Sequence, residues 1–222
     1  SLRNTGLETL DLVQLHCPPT EVYYRPEIFE LFDRLRTAGK VRHLGVSVAK
    51  VEEALKAIEY DNVATVQIIF NLLRQRPAEL FFPEAARRDV GILARVPLAS
   101  GLLSGRYDRT TTFGEGDHRF YNREGAAFDK GETFSGVPLG VGLEAVEAIR
   151  GLFPEHDNLA PVALRWILDH PQVSTVIPGA SSPEQVASNL EAAELAPIPE
   201  RQRQAISRIY TERIRPLVHH LW

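Results

Sequence analysis

The sequence predicts an α/β fold built on a parallel sheet, and three observations carry the prediction. Short apolar runs alternate with amphipathic stretches at roughly 20–35 residues per unit, the spacing of strands joined by helical crossovers. The strand-like runs are apolar on consecutive residues, as expected where a strand is covered on both faces. Pro26, Pro77, Pro183 and Pro199 stand where helices are expected to start, and Gly39 where one ends.

Residues 10–15 read as the first strand. A helix follows, opened by Pro26 and ended by Gly39, with Ile28, Leu31, Phe32 and Leu35 as its apolar stripe. Residues 43–47 give a second strand, and 51–60 a helix with Val51, Ala54, Leu55 and Ile58 on one face. The third strand is 64–70. Pro77 is expected to open the next helix, with Leu80, Phe81 and Ala85 inward, before a fourth strand at 90–94. The alternation then stops. Residues 101–138 are rich in Gly, Thr, Asp, Arg and aromatic side chains, the pattern of a long functional loop. Helices resume at 142–152 and 159–168, a fifth strand covers 174–177, and helices start at Pro183 and Pro199, the last running to about Arg215.

With 44% apolar residues, the 222-residue chain has enough to build one sizeable core, and no linker composition divides residues 1–222 into separate domains. A net charge of −4 gives no basic field to attract nucleic acid or an anionic membrane. The longest apolar stretch, residues 63–73, is broken by Gln67 and Asn71 and falls short of the ~18 residues that a membrane helix requires. The single cysteine, Cys17, leaves no internal disulfide and fits a reducing cytoplasm. Residues 1–4 read like the end of a helix already under way, and no methionine occurs, so the natural start is expected upstream. Five strands do not close a (β/α)8 barrel, so either the sheet is open or strands are missing.

In parallel α/β folds ligands bind at the carboxyl ends of the strands. The residues there are His16, Ser47, Gln67 with Asn71, Arg95, and Gly179 with Ser181. His16 can orient a carbonyl oxygen, or simply bond to nearby backbone. Ser47 and Gln67 suit an amide partner, or a turn and a strand end. Cys17 is read as a packing residue, with nothing beside it to activate a thiol. Residues 177–185 place Gly179 just before a helix opened by Pro183, which favours an anion, although Ser182 and Gln185 also have the spacing of a capping box. Arg106 can clamp a pyrophosphate or stay solvated. His219 and His220 read as a tail, not a metal site.

Together these stretches resemble an aldo-keto reductase. The likeness runs from Ser1 to His16, through Gly45-Val46-Ser47, residues 66–71, Pro97-Leu98-Ala99-Ser100-Gly101 and onward to Tyr107, 163–168, and Ile177-Pro178-Gly179-Ala180-Ser181 to Gln185. The proline-rich motifs look more like the bacterial branch related to potassium-channel β-subunits than the aldose reductase branch. The resemblance implies a (β/α)8 TIM barrel, here without its first three βα units. It also implies NADP or NAD as cofactor, and reduction of a small-molecule aldehyde or ketone by hydride transfer.

By the same resemblance, His16 matches the histidine that orients the substrate carbonyl. Ser47 and Gln67 match carboxamide contacts, and Leu98, Ser100 and Arg106 the loop covering the pyrophosphate. Gly179, Ser181, Gln185 and Asn189 match the adenosine-phosphate site. Arg95 stands where many members stack an aromatic ring on the nicotinamide, and Val48 where many have asparagine. No basic residue lies between Gly179 and Asn189 to meet a 2′-phosphate, so a preference for NADP would rest on Arg106 or a residue elsewhere. The family's catalytic aspartate, tyrosine and lysine have no counterpart in residues 1–222. That departure leaves a second expectation, a non-catalytic cofactor sensor or interaction subunit of the same fold.

Overall fold

A computed structural model describes residues 1–222. The short helix α1 (Leu2–Thr5) leads into β1 (Leu10–His16), α2 (Pro26–Thr37), β2 (Val41–Ser47), α3 (Val51–Ala57) and β3 (Val63–Ile69). Next come α4 (Phe81–Arg87), β4 (Gly91–Arg95), the four-residue α5 (His118–Tyr121), α6 (Leu139–Arg150), α7 (Ala160–Leu168) and β5 (Val173–Val176). The chain finishes through α8 (Pro183–Glu194), α9 (Glu200–Ile209), a π-helical turn at Tyr210–Ile214, and α10 (Arg215–Val218).

All neighbouring strands pair in parallel, in the order β1-β2-β3-β4-β5. This order has no reversal, unlike a doubly wound sheet, whose switch point sends helices to both faces. It is the winding of a (β/α) barrel wall, with helices on one side. Alternate strand residues Leu44, Val46, Val66, Ile68, Ile92 and Ala94 are buried in one 41-residue apolar cluster. Its aromatic centre is Phe70, packed on Phe82 (ring centroids 4.7 Å apart), Trp166 (5.0 Å) and His170 (4.9 Å). The other face brings Gln14, Gly45 and Thr65 so close that a Cβ on Gly45 would collide with the Thr65 hydroxyl, so glycine alone fits there.

Three expectations need correction. Pro77 sits in a separate 3-10 turn, Arg76–Ala78, and α4 begins only at Phe81, leaving Leu80 outside the helix and 55% exposed. In α2, Leu31 is 44% exposed. Phe29 takes the buried position instead, stacking on Tyr60 at 3.7 Å. The strands are not all covered on both faces. Leu12 on β1 and Ile177 just past β5 lie exposed at the two free edges of the sheet, and Val186 and Leu190 on α8 are exposed as well. No helix is long and apolar enough to cross a membrane.

Candidate functional site

The carboxyl ends of all five strands face one rim. His16, Ser47 and Gln67 stand in register across β1, β2 and β3, and Ile69 pairs with Arg95 on β4. His16 is exposed and Gln67 half-buried. Ser47 is fully buried, its Oγ 3.4 Å from the Cys17 Sγ, while its carbonyl accepts from the Tyr23 hydroxyl at 3.0 Å. Burial, helped by the nearby Glu53 carboxylate, pushes the Tyr23 pKa far up, so the phenol stays a proton donor.

Immediately after β4 the backbone is strained. Val96 (φ 51°), Ala99 (φ 46°) and Ser100 (φ 58°) adopt left-handed conformations without being glycine, each at a cost of about 1–3 kcal/mol. Buried Asn71 braces the turn: its Nδ2 donates to the Val96 carbonyl (2.9 Å) and to Ser135 Oγ (2.8 Å), and its Oδ1 accepts from Leu73 N (2.9 Å). The Ser100 hydroxyl donates to the Glu132 carbonyl (2.9 Å) and accepts from Phe134 N (3.2 Å). So the turn and the far end of the long loop are one unit. Residues 101–138 are otherwise irregular, carrying only α5 and short 3-10 turns.

Arg95, which the family resemblance places at the nicotinamide, is buried. Its guanidinium pairs with Glu132, donates to the Val48 carbonyl (2.9 Å) and lies 3.6 Å from Cys17 Sγ. It ties together the ends of β1, β2 and β4.

Beside this rim opens a cleft of about 960 Å³, within the usual range for a ligand site. It brings Leu98, Ser100 and Arg106 on one wall together with Gly179, Ser181, Gln185 and Asn189 on the other. These are seven of the residues singled out from sequence. His16, Ser47, Gln67 and Arg95 do not line it; Glu132 and Val96 connect it to them. At the α8 end the capping arrangement is present. Ser182 Oγ accepts from Gln185 N (3.4 Å), Gln185 Oε1 accepts from Ser181 N (2.8 Å), and Asn189 Nδ2 donates to the Gly179 carbonyl (3.4 Å). The sequence reading missed Glu132, one acidic residue in an aperiodic loop; nothing in the local pattern points to it. No cluster of His, Cys, Asp and Glu could hold a metal.

A singly wound parallel sheet with a ligand-sized cleft at the carboxyl ends of its strands defines an enzyme-type (β/α) barrel wall. The chain belongs to the aldo/keto reductase family, whose sequence model matches residues 1–211. It is similar to an aldo-keto reductase of Pseudocercospora fijiensis, 29% identical over 95% of this chain and 74% of that protein. A putative voltage-gated potassium channel subunit beta of Schizosaccharomyces pombe is 29% identical over 87% of this chain and 57% of that protein. The glycerol dehydrogenase structure from Gluconobacter oxydans matches with a TM-score of 0.72 and 26% identity, over 96% of this chain and 62% of that one. The chain thus spans less than two thirds of the length of most relatives it matches.

Proposed function

We propose that this chain is a cytoplasmic, nicotinamide-dependent carbonyl reductase, or the part of one that seats the cofactor. Within the family we place it in the bacterial branch related to potassium-channel β-subunits, on its Pro97–Gly101 and Ile177–Ser181 motifs. The observation that carries the reading is the meeting of Leu98, Ser100 and Arg106 with Gly179, Ser181, Gln185 and Asn189 in one cleft beside the strand ends. The lining suits an adenine dinucleotide. Leu98 offers apolar surface, Arg106 a cation with no carboxylate partner, and the α8 end hydroxyl and amide groups.

When bound, a reduced nicotinamide would supply a hydride to a small aldehyde or ketone, and the proton that completes the alcohol would come from the tyrosine that the family resemblance implies, which has no counterpart in residues 1–222. His16, exposed at the end of β1, hydrogen-bonds the carbonyl oxygen where negative charge develops. Gln67 offers its side-chain amide to a carboxamide, whereas Ser47 is buried against the Cys17 thiol. Arg95 fixes the loops that carry these groups.

A second reading has its own support. The aspartate, tyrosine and lysine implied by the family resemblance have no counterpart in residues 1–222, and one relative is a putative channel subunit. A non-catalytic cofactor sensor or interaction subunit would keep the cleft and lose turnover. The test combines thermal stabilisation by the reduced cofactor with its oxidation against a panel of aldehydes and ketones. Stabilisation with turnover supports the reductase. Stabilisation without turnover favours the sensor, and no stabilisation overturns both.

A further inference from the structure

His16 has no partner of its own to aim it. Its imidazole is exposed and forms no hydrogen bond or ion pair with the rest of the chain. The backbone at the end of β1 therefore sets where the ring points. That backbone turns at Cys17, whose φ of 41° lies in the left-handed region that residues other than glycine rarely adopt. Pro18 follows, and a residue before proline favours an extended conformation. By its own preference, position 17 would straighten, and the end of β1 would shift with it.

Contacts to two other strands hold the turn. The Cys17 amide donates to the Ser47 carbonyl (2.9 Å), which also accepts from the Tyr23 hydroxyl (3.0 Å). The Cys17 thiol lies 3.4 Å from Ser47 Oγ and 3.6 Å from Arg95 Nη2. Both neighbours are fixed. Ser47 is fully buried, and Arg95 is held by Glu132 and by the Val48 carbonyl. Any residue at position 17 could supply the amide; only a small polar side chain could supply the contacts to Ser47 and Arg95.

We propose that Cys17 is a positioning residue, whose thiol, seated between Ser47 and Arg95, holds the left-handed turn that aims the His16 imidazole at the substrate carbonyl. The inference rests on reading His16 as the group that meets that carbonyl.

Three substitutions separate holding the turn from filling space. Serine keeps a polar group that can bond to Ser47 and Arg95. Glycine loses those contacts but adopts a left-handed backbone freely. Alanine loses the contacts and keeps the steric penalty. A thiol that only packs makes alanine milder than glycine, because alanine fills more of the space. A thiol that holds the turn gives the opposite order.

The first readout is the His16 ring in proton–carbon correlation spectra of the chain without substrate or cofactor. Cys17→Ser should leave its signals in place, Cys17→Gly should move them little, and Cys17→Ala should move them most. The second is steady-state turnover. Cys17→Ala should lower kcat about tenfold or more with cofactor affinity within about twofold, and Cys17→Ser should restore it. If Cys17→Ala does not fold while Cys17→Gly does, the same order is read from stability and supports the role. Unmoved ring signals in Cys17→Ala, or a glycine variant more perturbed than the alanine one, would overturn it. Displaced ring signals in Cys17→Ala from a wild type that turns over no carbonyl would support Cys17 as the residue that holds His16 and overturn the reductase reading instead.

Discussion

The guanidinium of Arg95 and the carboxylate of Glu132 pair across the mouth of the sheet, joining the end of β4 to a loop 37 residues further along. The arginine side chain is 8% exposed and the glutamate 26%, so this is a largely desolvated pair. Removing one partner of such a pair strands the other's charge.

Glu132→Ala should therefore destabilise the protein by about 3 kcal/mol in urea denaturation. The double variant Arg95→Met with Glu132→Leu should recover much of that loss, because it leaves no unpaired buried charge. Additive losses in the double variant would show that the pair does not act as a unit.

His170 stands edge-on to Phe70 and Trp166, at 4.9 and 4.6 Å, with its Nδ1 2.9 Å from the Trp166 carbonyl. Burial lowers its pKa below the ordinary 6.5. The fold then favours the neutral imidazole, and the unfolded chain binds the proton more readily. Its contribution is complete above pH about 6.5 and is lost as pH falls toward the lower, folded-state pKa. Between pH about 7 and about 5 the wild type should lose more stability than His170→Gln. Parallel curves for the two proteins would contradict this.

Trp222 holds the far end of the long loop. Its Nε1 donates to Asp129 Oδ2 at 3.0 Å, its ring lies 4.2 Å from the Arg74 guanidinium, and it fills the space above Gly136. Trp222→Ala should cost about 3–5 kcal/mol and speed amide exchange at residues 129–136, since local opening there would lose its anchor. Unchanged exchange in that segment would show that Asn71 and Ser100 suffice to hold it.

His16→Ala should lower carbonyl turnover by about a hundredfold while leaving the affinity for reduced cofactor within about twofold, because His16 lies outside the cleft. Equal losses in turnover and binding, read from steady-state rates and calorimetry, would remove His16 from the chemistry.

Much of the fold was legible because it rests on local signals. Continuous apolar runs marked β1 to β4, and the spacing of the polar residues that end them placed the rim. The Ser182–Gln185 capping signal was local too, and half of the box is present: Ser182 Oγ accepts from Gln185 N, while Gln185 Oε1 accepts from Ser181 N rather than from Ser182 N. What was hidden depends on contacts far apart in sequence. Pro77 is as good a helix opener as Pro26, yet only the packing of Phe81 and Phe82 decides that α4 starts later. Phe29 rather than Leu31 faces inward because Tyr60 waits for it. The loop at 101–138 has no periodicity. Its shape comes from Asn71, Arg95, Ser100 and Trp222, and no local pattern announces such bonds.

The central claim is that the cleft between the post-β4 turn and the start of α8 holds the dinucleotide. Amide hydrogen exchange with and without NADH tests it directly. Protection should concentrate at residues 98–106 and 179–189 together. Protection confined to the separate depression lined by Thr20, Lys50 and Arg76, or to one wall of the cleft alone, would contradict it.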